Sequence, residues 1–349
     1  MYKSLAAIHL KKSKKLILDE ITFSDPNSDE VVLKNTYAGI CHSQLLNLSR
    51  TPEGPELLGH EGTAKVVAIG NKVKHVKEGD SVILSWMPNH FSRNQEYLKW
   101  TNFNYKNNKY RSLIYNWSTY SKINAQFVSK INKKVNHKIY SILGCAVISG
   151  YLAAEKIVNK KNFSSLVLGA GGLGLLAVNA LKNLKAKHNI VLDRSDEKLI
   201  FAKNIGSTHQ INNISENLEE KVLSITKNKG LDYIFDFTGN QSLQERCFTI
   251  LKKGVPGYSV GGTIAIIGFS YDDISFSAKN LLMNNQTIVG MRGGWCDTKV
   301  DFPKLIDKIE NNTIKVQKII TEQHHLKNIN NVIKKFKNNE ILGRAVIKI

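Results

Sequence analysis

The sequence predicts an α/β protein of two domains, one β-rich and one built on a doubly wound parallel sheet. Three observations carry that expectation. At 349 residues the chain exceeds what one ordinary core encloses. Its texture changes near residue 163, from short strands and turns to strands alternating with helical stretches. A glycine-rich turn, Gly169 to Gly174, stands at that change.

The stretches "KLILDEI", "EVVLKNTYAGI", "GTAKVVAIG" and "DSVILSW" are rich in β-formers and are separated by Asp, Asn, Gly and Pro. They predict a β-rich first domain over about the first 150 residues. From about 163 come "SLVLGAG", "LGLLAVNALKNLK", "NIVLD", "EKLIFAKNIG", "YIFDFTG", "GGTIAIIGFS" and "TIVGMR". Alternation at that spacing predicts a parallel sheet with crossover helices. The lysine- and asparagine-rich tail from Gly293 closes on "RAVIKI", a strand expected to fold back onto the first domain.

Composition narrows the class. The start "MYKSLAAIHLKKSKK" has too short an apolar run for a signal peptide, and the run at 165–181 is broken by glycines, so no membrane segment and a cytoplasmic location are expected. Cysteines 41, 145, 247 and 296 form no C-x-x-C pair, which leaves free thiols or metal ligands. The net charge is +20, from 49 basic and 29 acidic side chains, and no carboxylate occurs between Glu96 and Glu155. Tyr97, Trp100, Phe103, Tyr105, Tyr110, Tyr115, Trp117 and Tyr120 interleave with lysines there, a mixture that single-strand-binding surfaces also use. With no nucleic-acid-binding motif alongside, a solvated lysine-rich lobe is the expected reading.

The turn Gly169-Ala-Gly-Gly-Leu-Gly174 fits G-x-G-x-x-G between a strand and an amphipathic helix. Gly169, Gly171, Gly172, Leu173 and Gly174 would let the backbone approach a pyrophosphate at the helix N-terminus. Asp193 ends the next strand nineteen residues after Gly174, where its carboxylate can accept from the adenosine ribose hydroxyls. A carboxylate there repels a ribose phosphate, which favours NAD over NADP, although Arg194 is adjacent. Cys41, His60 and Cys145 together suit a zinc ion with an open fourth position, yet spacing this long does not by itself identify ligands.

Along nearly its whole length the chain resembles the zinc-dependent alcohol dehydrogenases of the medium-chain dehydrogenase/reductase superfamily. The resemblance rests on "GICHS", "GHEGTAKVVAIGNKV", "GDSVILSWMP", "GCAVISGY", "GAGGLG", "VLDRSDEK", "GGTIAIIG", "RGGW" and "GRAVIKI" in that order. It implies a GroES-like catalytic domain over 1–149 and 290–349 and a Rossmann NAD-binding domain over 150–289. It implies zinc on Cys41, His60 and Cys145, with Glu61 as a nearby mobile carboxylate and Ser43 taking the substrate proton. His42 and Arg344 would reach the cofactor pyrophosphate, Lys198 the adenosine ribose, and Ser149, Ile267 and Phe269 the nicotinamide, while Trp86 would wall the substrate pocket.

The implied activity is reversible oxidation of an alcohol to an aldehyde or ketone with NAD, in a homodimer or homotetramer. Polyol, sugar or nucleotide-sugar oxidation on the same scaffold is the alternative, with Arg292 and the basic lobe receiving an anionic substrate. A nucleotide-binding protein whose lobe grips nucleic acid through Lys133 and Lys134 is a reading from another class.

Several residues depart from the family pattern. The segment after "SWMP" lacks the four cysteines of a structural zinc site, so one zinc per chain is expected. Gln44 replaces a carboxylate that commonly orients the zinc-bound histidine, and Leu46 replaces a histidine that passes the proton to solvent. Ala64 replaces a glycine.

Overall fold

The computed structural model describes residues 1–11, 13, 15–89, 99–131, 136–270 and 272–349. Tyr97, Lys133 and Lys134 lie outside the described residues. Ten strands come first: β1 Tyr2–His9, β2 Ile17–Phe23, β3 Glu30–Gly39, β4 Glu56–Leu57, β5 Glu61–Ile69, β6 Ser81–Ser85, β7 Thr101–Tyr105, β8 Asn108–Ser112, β9 Tyr120–Asn124 and β10 Val128–Lys130. Then follow β11 Ser164–Leu168, β12 His188–Asp193, β13 His209–Asn212, β14 Tyr233–Asp236, β15 Thr263–Ile266 and β16 Thr287–Gly290, and the chain closes on β17 Ile320–His325 and β18 Arg344–Lys348.

Two compact units emerge. Met1–Cys145, Asp297–Asp307 and Ile320–Ile349 form the first, and Ala146–Cys296 with Lys308–Ile319 the second. The stretch 308–319 belongs to the second unit because Lys308 pairs with Glu155 and Lys315 N donates to Asn179 Oδ1 at 2.9 Å.

The first unit holds a five-stranded sheet, β4-β1-β2-β7-β8, and a seven-stranded sheet, β10-β6-β5-β3-β18-β17 with β9 also on β3. Val31, Val32, Leu33 and Ala38 of β3 are fully buried, and a continuous apolar run of this kind suits a strand covered on both faces. The tail returns as expected, since Val346 to Lys348 of β18 pair antiparallel with Gly39 to Tyr37 of β3. Ile8, Ile21, Phe23, Phe103, Tyr115 and Phe127 join the β3 valines in one core.

Phe103, Tyr105 and Tyr115 of the acid-free stretch serve this core, and Trp117 serves a second one with Ile40, Leu45 and Leu58. Phe103, Tyr105, Tyr115 and Trp117 are buried, whereas Trp100 is 55% exposed. Nor are the lysines simply solvated: Lys122 is buried against Glu30 at 3.5 Å, Lys130 pairs with Asp80 at 2.9 Å and Lys99 with Asp29 at 2.6 Å. For these three lysines, carboxylates from outside the stretch supply the opposite charge, which the linear sequence does not display, while Lys106, Lys109 and Arg111 are exposed as expected.

In the second unit six parallel strands run β13-β12-β11-β14-β15-β16. This is the doubly wound order, and its reversal between β11 and β14 makes a crevice at their carboxyl ends. Leu166 to Leu168, Ile190, Val191, Ile234 and Phe235 are buried because helices cover both faces. Helices Asp196–Ile205, Leu218–Thr226 and Gln241–Ile250 are capped by Ser195, Asn217 and Asn240, whose side chains accept from Lys198 N, Glu220 N and Leu243 N.

Candidate functional site

Cys41 precedes the helix His42–Ser49, His60 immediately precedes β5, and Cys145 lies on a π-helix, Leu143–Leu152. The fold brings these three into one cluster whose ligand atoms all lie within 4.8 Å of one another. Cys145 Sγ is 3.7 Å from Cys41 Sγ, and His60 Nε2 is 3.3 Å from Cys145 Sγ. A tetrahedral zinc with Zn–S of about 2.3 Å and Zn–N of about 2.05 Å separates its ligands by about 3.8 Å for S···S and about 3.6 Å for S···N. The donor set and its spacing therefore fit zinc.

The electrostatics agree. Cys145 donates its hydrogen bond to Cys41, which holds the Cys41 thiol well below the ordinary range, with His60 and Arg344 adding to the effect against the cost of burial. Cys145 is raised well above that range by the same bond and by burial. Burial lowers His60, but the neighbouring Cys41 thiolate outweighs it and the net shift is upward.

Around the cluster, Ser43 is exposed and its Oγ donates to Cys41 Sγ at 3.3 Å. The Glu61 carboxylate is fully buried, accepts from Arg344 Nη2 and packs on Gly39, where an added Cβ would lie 2.5 Å from Glu61 Cδ. Gln44 is buried and accepts from Cys41 N at 3.2 Å, and its Nε2 has no acceptor among the described residues. His42 is exposed, with its ring 5.3 Å from that of Phe336. Trp86 follows β6 directly and is half-buried.

In the second unit the glycine turn opens the helix Gly172–Asn183. Gly169 takes a φ of +93°, and a Cβ on Gly174 would fall 1.8 Å from Gly169 O, so both positions require glycine. At Gly171 an added Cβ meets nothing within 4 Å, which leaves the open space a pyrophosphate needs. Leu173 is half-buried on the first helical turn. Asp193 ties this turn to its own strand end, accepting from Ala170 N at 2.8 Å, Arg194 N at 2.8 Å and Ser195 N at 3.1 Å. A carboxylate has about four acceptor directions, so about one remains for a ribose hydroxyl.

Lys198 is half-buried on the following helix, Ser149 is buried on the π-helix, Ile267 is half-buried and Phe269 is exposed. Sequence reasoning missed Asp236, a buried carboxylate that accepts from Thr238 N, Thr238 Oγ1, Gly239 N and Gln244 Nε2 and so fixes the turn at the crevice. It also missed Asn116 beside His60. Neither residue belongs to a spacing pattern that could have flagged it. Cys247 and Cys296 are buried away from the cluster, and burial pushes the Cys247 thiol far up.

Comparison with known proteins agrees with this geometry. Residues 27–133 match the family described as alcohol dehydrogenase GroES-like domain, and residues 172–311 match zinc-binding dehydrogenase. The chain is 28% identical to alcohol dehydrogenase 2 of Tanacetum cinerariifolium, covering 94% of this chain and 92% of that one. It is 27% identical to an S-(hydroxymethyl)glutathione dehydrogenase of Haemophilus influenzae, covering 94% and 93%. The crystal structure of benzyl alcohol dehydrogenase from Acinetobacter calcoaceticus shares the fold over the full length of both chains, with a TM-score of 0.85 at 22% identity. On its two matched domains, its relatives and its Cys-His-Cys cluster, the chain belongs to the zinc-dependent alcohol dehydrogenases of the medium-chain dehydrogenase/reductase superfamily.

Proposed function

We propose that this protein reversibly oxidises an alcohol to an aldehyde or ketone with NAD, using one zinc held by Cys41, His60 and Cys145. The observation that carries the reading is the spacing of those three ligand atoms, within 4.8 Å of one another. Zinc supplies Lewis acidity toward the alcohol oxygen when bound, and NAD accepts the electrons. Ser43, exposed beside Cys41, takes the substrate proton. Glu61 balances charge close to the ligands, and its partner Arg344 sets how far the carboxylate can move.

His42 and the turn of Gly169, Gly171, Gly172, Leu173 and Gly174 hold the pyrophosphate, with Arg344 contributing positive charge. Asp193 and Lys198 take the adenosine ribose, Asp193 selecting NAD by charge. Ser149, Ile267 and Phe269 pack by the nicotinamide, and Trp86 shapes the substrate pocket. We assign these roles to a GroES-like domain over 1–149 and 290–349 and a Rossmann domain over 150–289, although the stretch 308–319 clusters with the second compact unit. The protein is read as a homodimer or homotetramer joined along β16, the last strand of the parallel sheet. A reducing, cytoplasmic setting suits its four buried cysteines, which form no disulfide.

The test is a panel of aliphatic, aromatic, polyol and glutathione-adduct alcohols with NAD and NADP, on zinc-loaded protein, read by nicotinamide absorbance at 340 nm. The reading expects turnover of at least one uncharged alcohol with a preference for NAD. Zinc-replete protein that turns over none of the panel overturns it.

A further inference from the structure

The segment Leu58-Gly-His-Glu-Gly62 carries one metal ligand and the buried carboxylate beside it, yet β5 begins only at Glu61. A single residue from a distant part of the chain brackets it. Asn116 N and Trp117 N both donate to Leu58 O, at 3.2 and 3.1 Å, and Asn116 Nδ2 donates to Glu61 O at 2.7 Å. Asn116 is 0% exposed. The anchor is itself fixed, since Trp117 is buried, gives its indole N–H to Gly39 O at 3.2 Å and accepts from Ala7 N at 2.9 Å.

The glycines flanking His60-Glu61 make room for that one amide. A Cβ on Gly59 would lie 2.1 Å from Asn116 Oδ1, and a Cβ on Gly62 would lie 2.1 Å from Asn116 Nδ2. Gly59 also sits at a φ of +103°, so the turn it makes is one a side-chain-bearing residue adopts at a cost. Asn116 thus holds the carbonyl on each side of His60 while both neighbouring positions stay bare to admit it.

We infer that Asn116 is a positioning residue of the metal centre. Its backbone and side-chain donors fix the 58–62 turn, so that His60 Nε2 faces Cys41 and Cys145 while the Glu61 side chain stays with Arg344. The inference rests on the zinc reading given above. Support of this kind around ligands is worth about 10- to 100-fold in metal affinity.

The test uses full-length Asn116→Ala and the near-isosteric Asn116→Asp, which puts an acceptor where the donor to Glu61 O stood. Asn35→Ala is the control: Asn35 is also buried, but its side chain donates to Ser118 O at 2.8 Å and accepts from Ser121 Oγ at 3.2 Å rather than bracing the 58–62 turn. Zinc affinity is measured by chelator competition, ligand geometry by the visible spectrum of the cobalt-substituted protein, and stability by denaturant midpoint. The expected result is zinc affinity lower by about 10- to 100-fold and a shifted cobalt spectrum in whichever Asn116 variants fold, with neither change in Asn35→Ala at comparable loss of stability. Affinity within about threefold of wild type and an unchanged spectrum in a folded Asn116 variant overturn the inference, as does equal loosening in Asn35→Ala. Wild-type protein that holds no zinc overturns the metal reading itself, so the two failures are told apart.

Discussion

Arg344 Nη2 and Glu61 Oε1 form an ion pair in which both side chains are out of water, at 2% and 0% exposure, and Arg344 Nε has no acceptor among the described residues. A buried guanidinium is tolerated because a carboxylate faces it; Glu61 keeps Arg344 charged despite burial. Removing the carboxylate charge leaves the cation uncompensated. Glu61→Gln is therefore expected to cost about 3–5 kcal/mol, read as the shift in denaturant midpoint of metal-free protein, whereas Arg344→Met with Glu61→Gln together costs less than either alone. A loss below about 1 kcal/mol in Glu61→Gln sinks this account.

Metal content follows from the cluster geometry. Cys41→Ser and Cys145→Ser each remove one of the three proposed protein ligands, so on this reading zinc measured by elemental analysis after dialysis should drop from about one per chain to a small fraction. Cys247→Ser and Cys296→Ser, whose thiols lie outside the cluster, should keep wild-type content. Chelation of wild type should lower its denaturation midpoint and zinc restore it, since an ion that binds the folded state stabilises it.

Cofactor choice is expected to turn on Asp193. Asp193→Asn keeps one acceptor oxygen but removes the negative charge, and it puts an amide where Ala170 N or Arg194 N donated. Measured with both cofactors, it should raise the KM for NAD by about tenfold and narrow the preference over NADP by at least as much. An unchanged ratio of kcat/KM for the two cofactors refutes the assignment.

The second unit should lose stability on mild acidification. Burial first, then His209, Lys187 and Lys227, lowers the pKa of His188, and burial lowers that of His209. The two rings lie 5.4 Å apart, and His188 Nδ1 has no hydrogen-bond partner among the described residues. Unfolded imidazoles take up protons near pH 6.5, while the folded ones resist until lower pH, so the unfolded state binds more protons in between. Stability from this pair is thus intact above about pH 6.5 and declines as pH falls toward the folded values. The denaturation midpoint of wild type should fall between about pH 7.5 and 5.5, and a His188→Gln/His209→Gln double variant should fall less. Equal slopes contradict the prediction.

What was legible in the sequence was whatever depends on local order. Gly169 and Gly174 announce their turn because only glycine adopts that backbone and that close approach, and the runs "SLVL" and "NIVL" announce strands covered on both faces. The ordered motifs announced the family. Tertiary structure alone decided the rest: that Cys41, His60 and Cys145 converge, that Arg344 meets Glu61 across 283 residues, and that Asn116 holds the turn bearing His60. The basic, aromatic stretch shows the same limit, since Lys122 finds Glu30 and Tyr105 finds Asp19 only through sheet pairing. The physical reason is one of range. Backbone dihedrals and hydrophobic period are set by neighbours in the chain, whereas coordination, ion pairing and side-chain clamps need atoms placed within a few ångströms, which only the packed fold arranges.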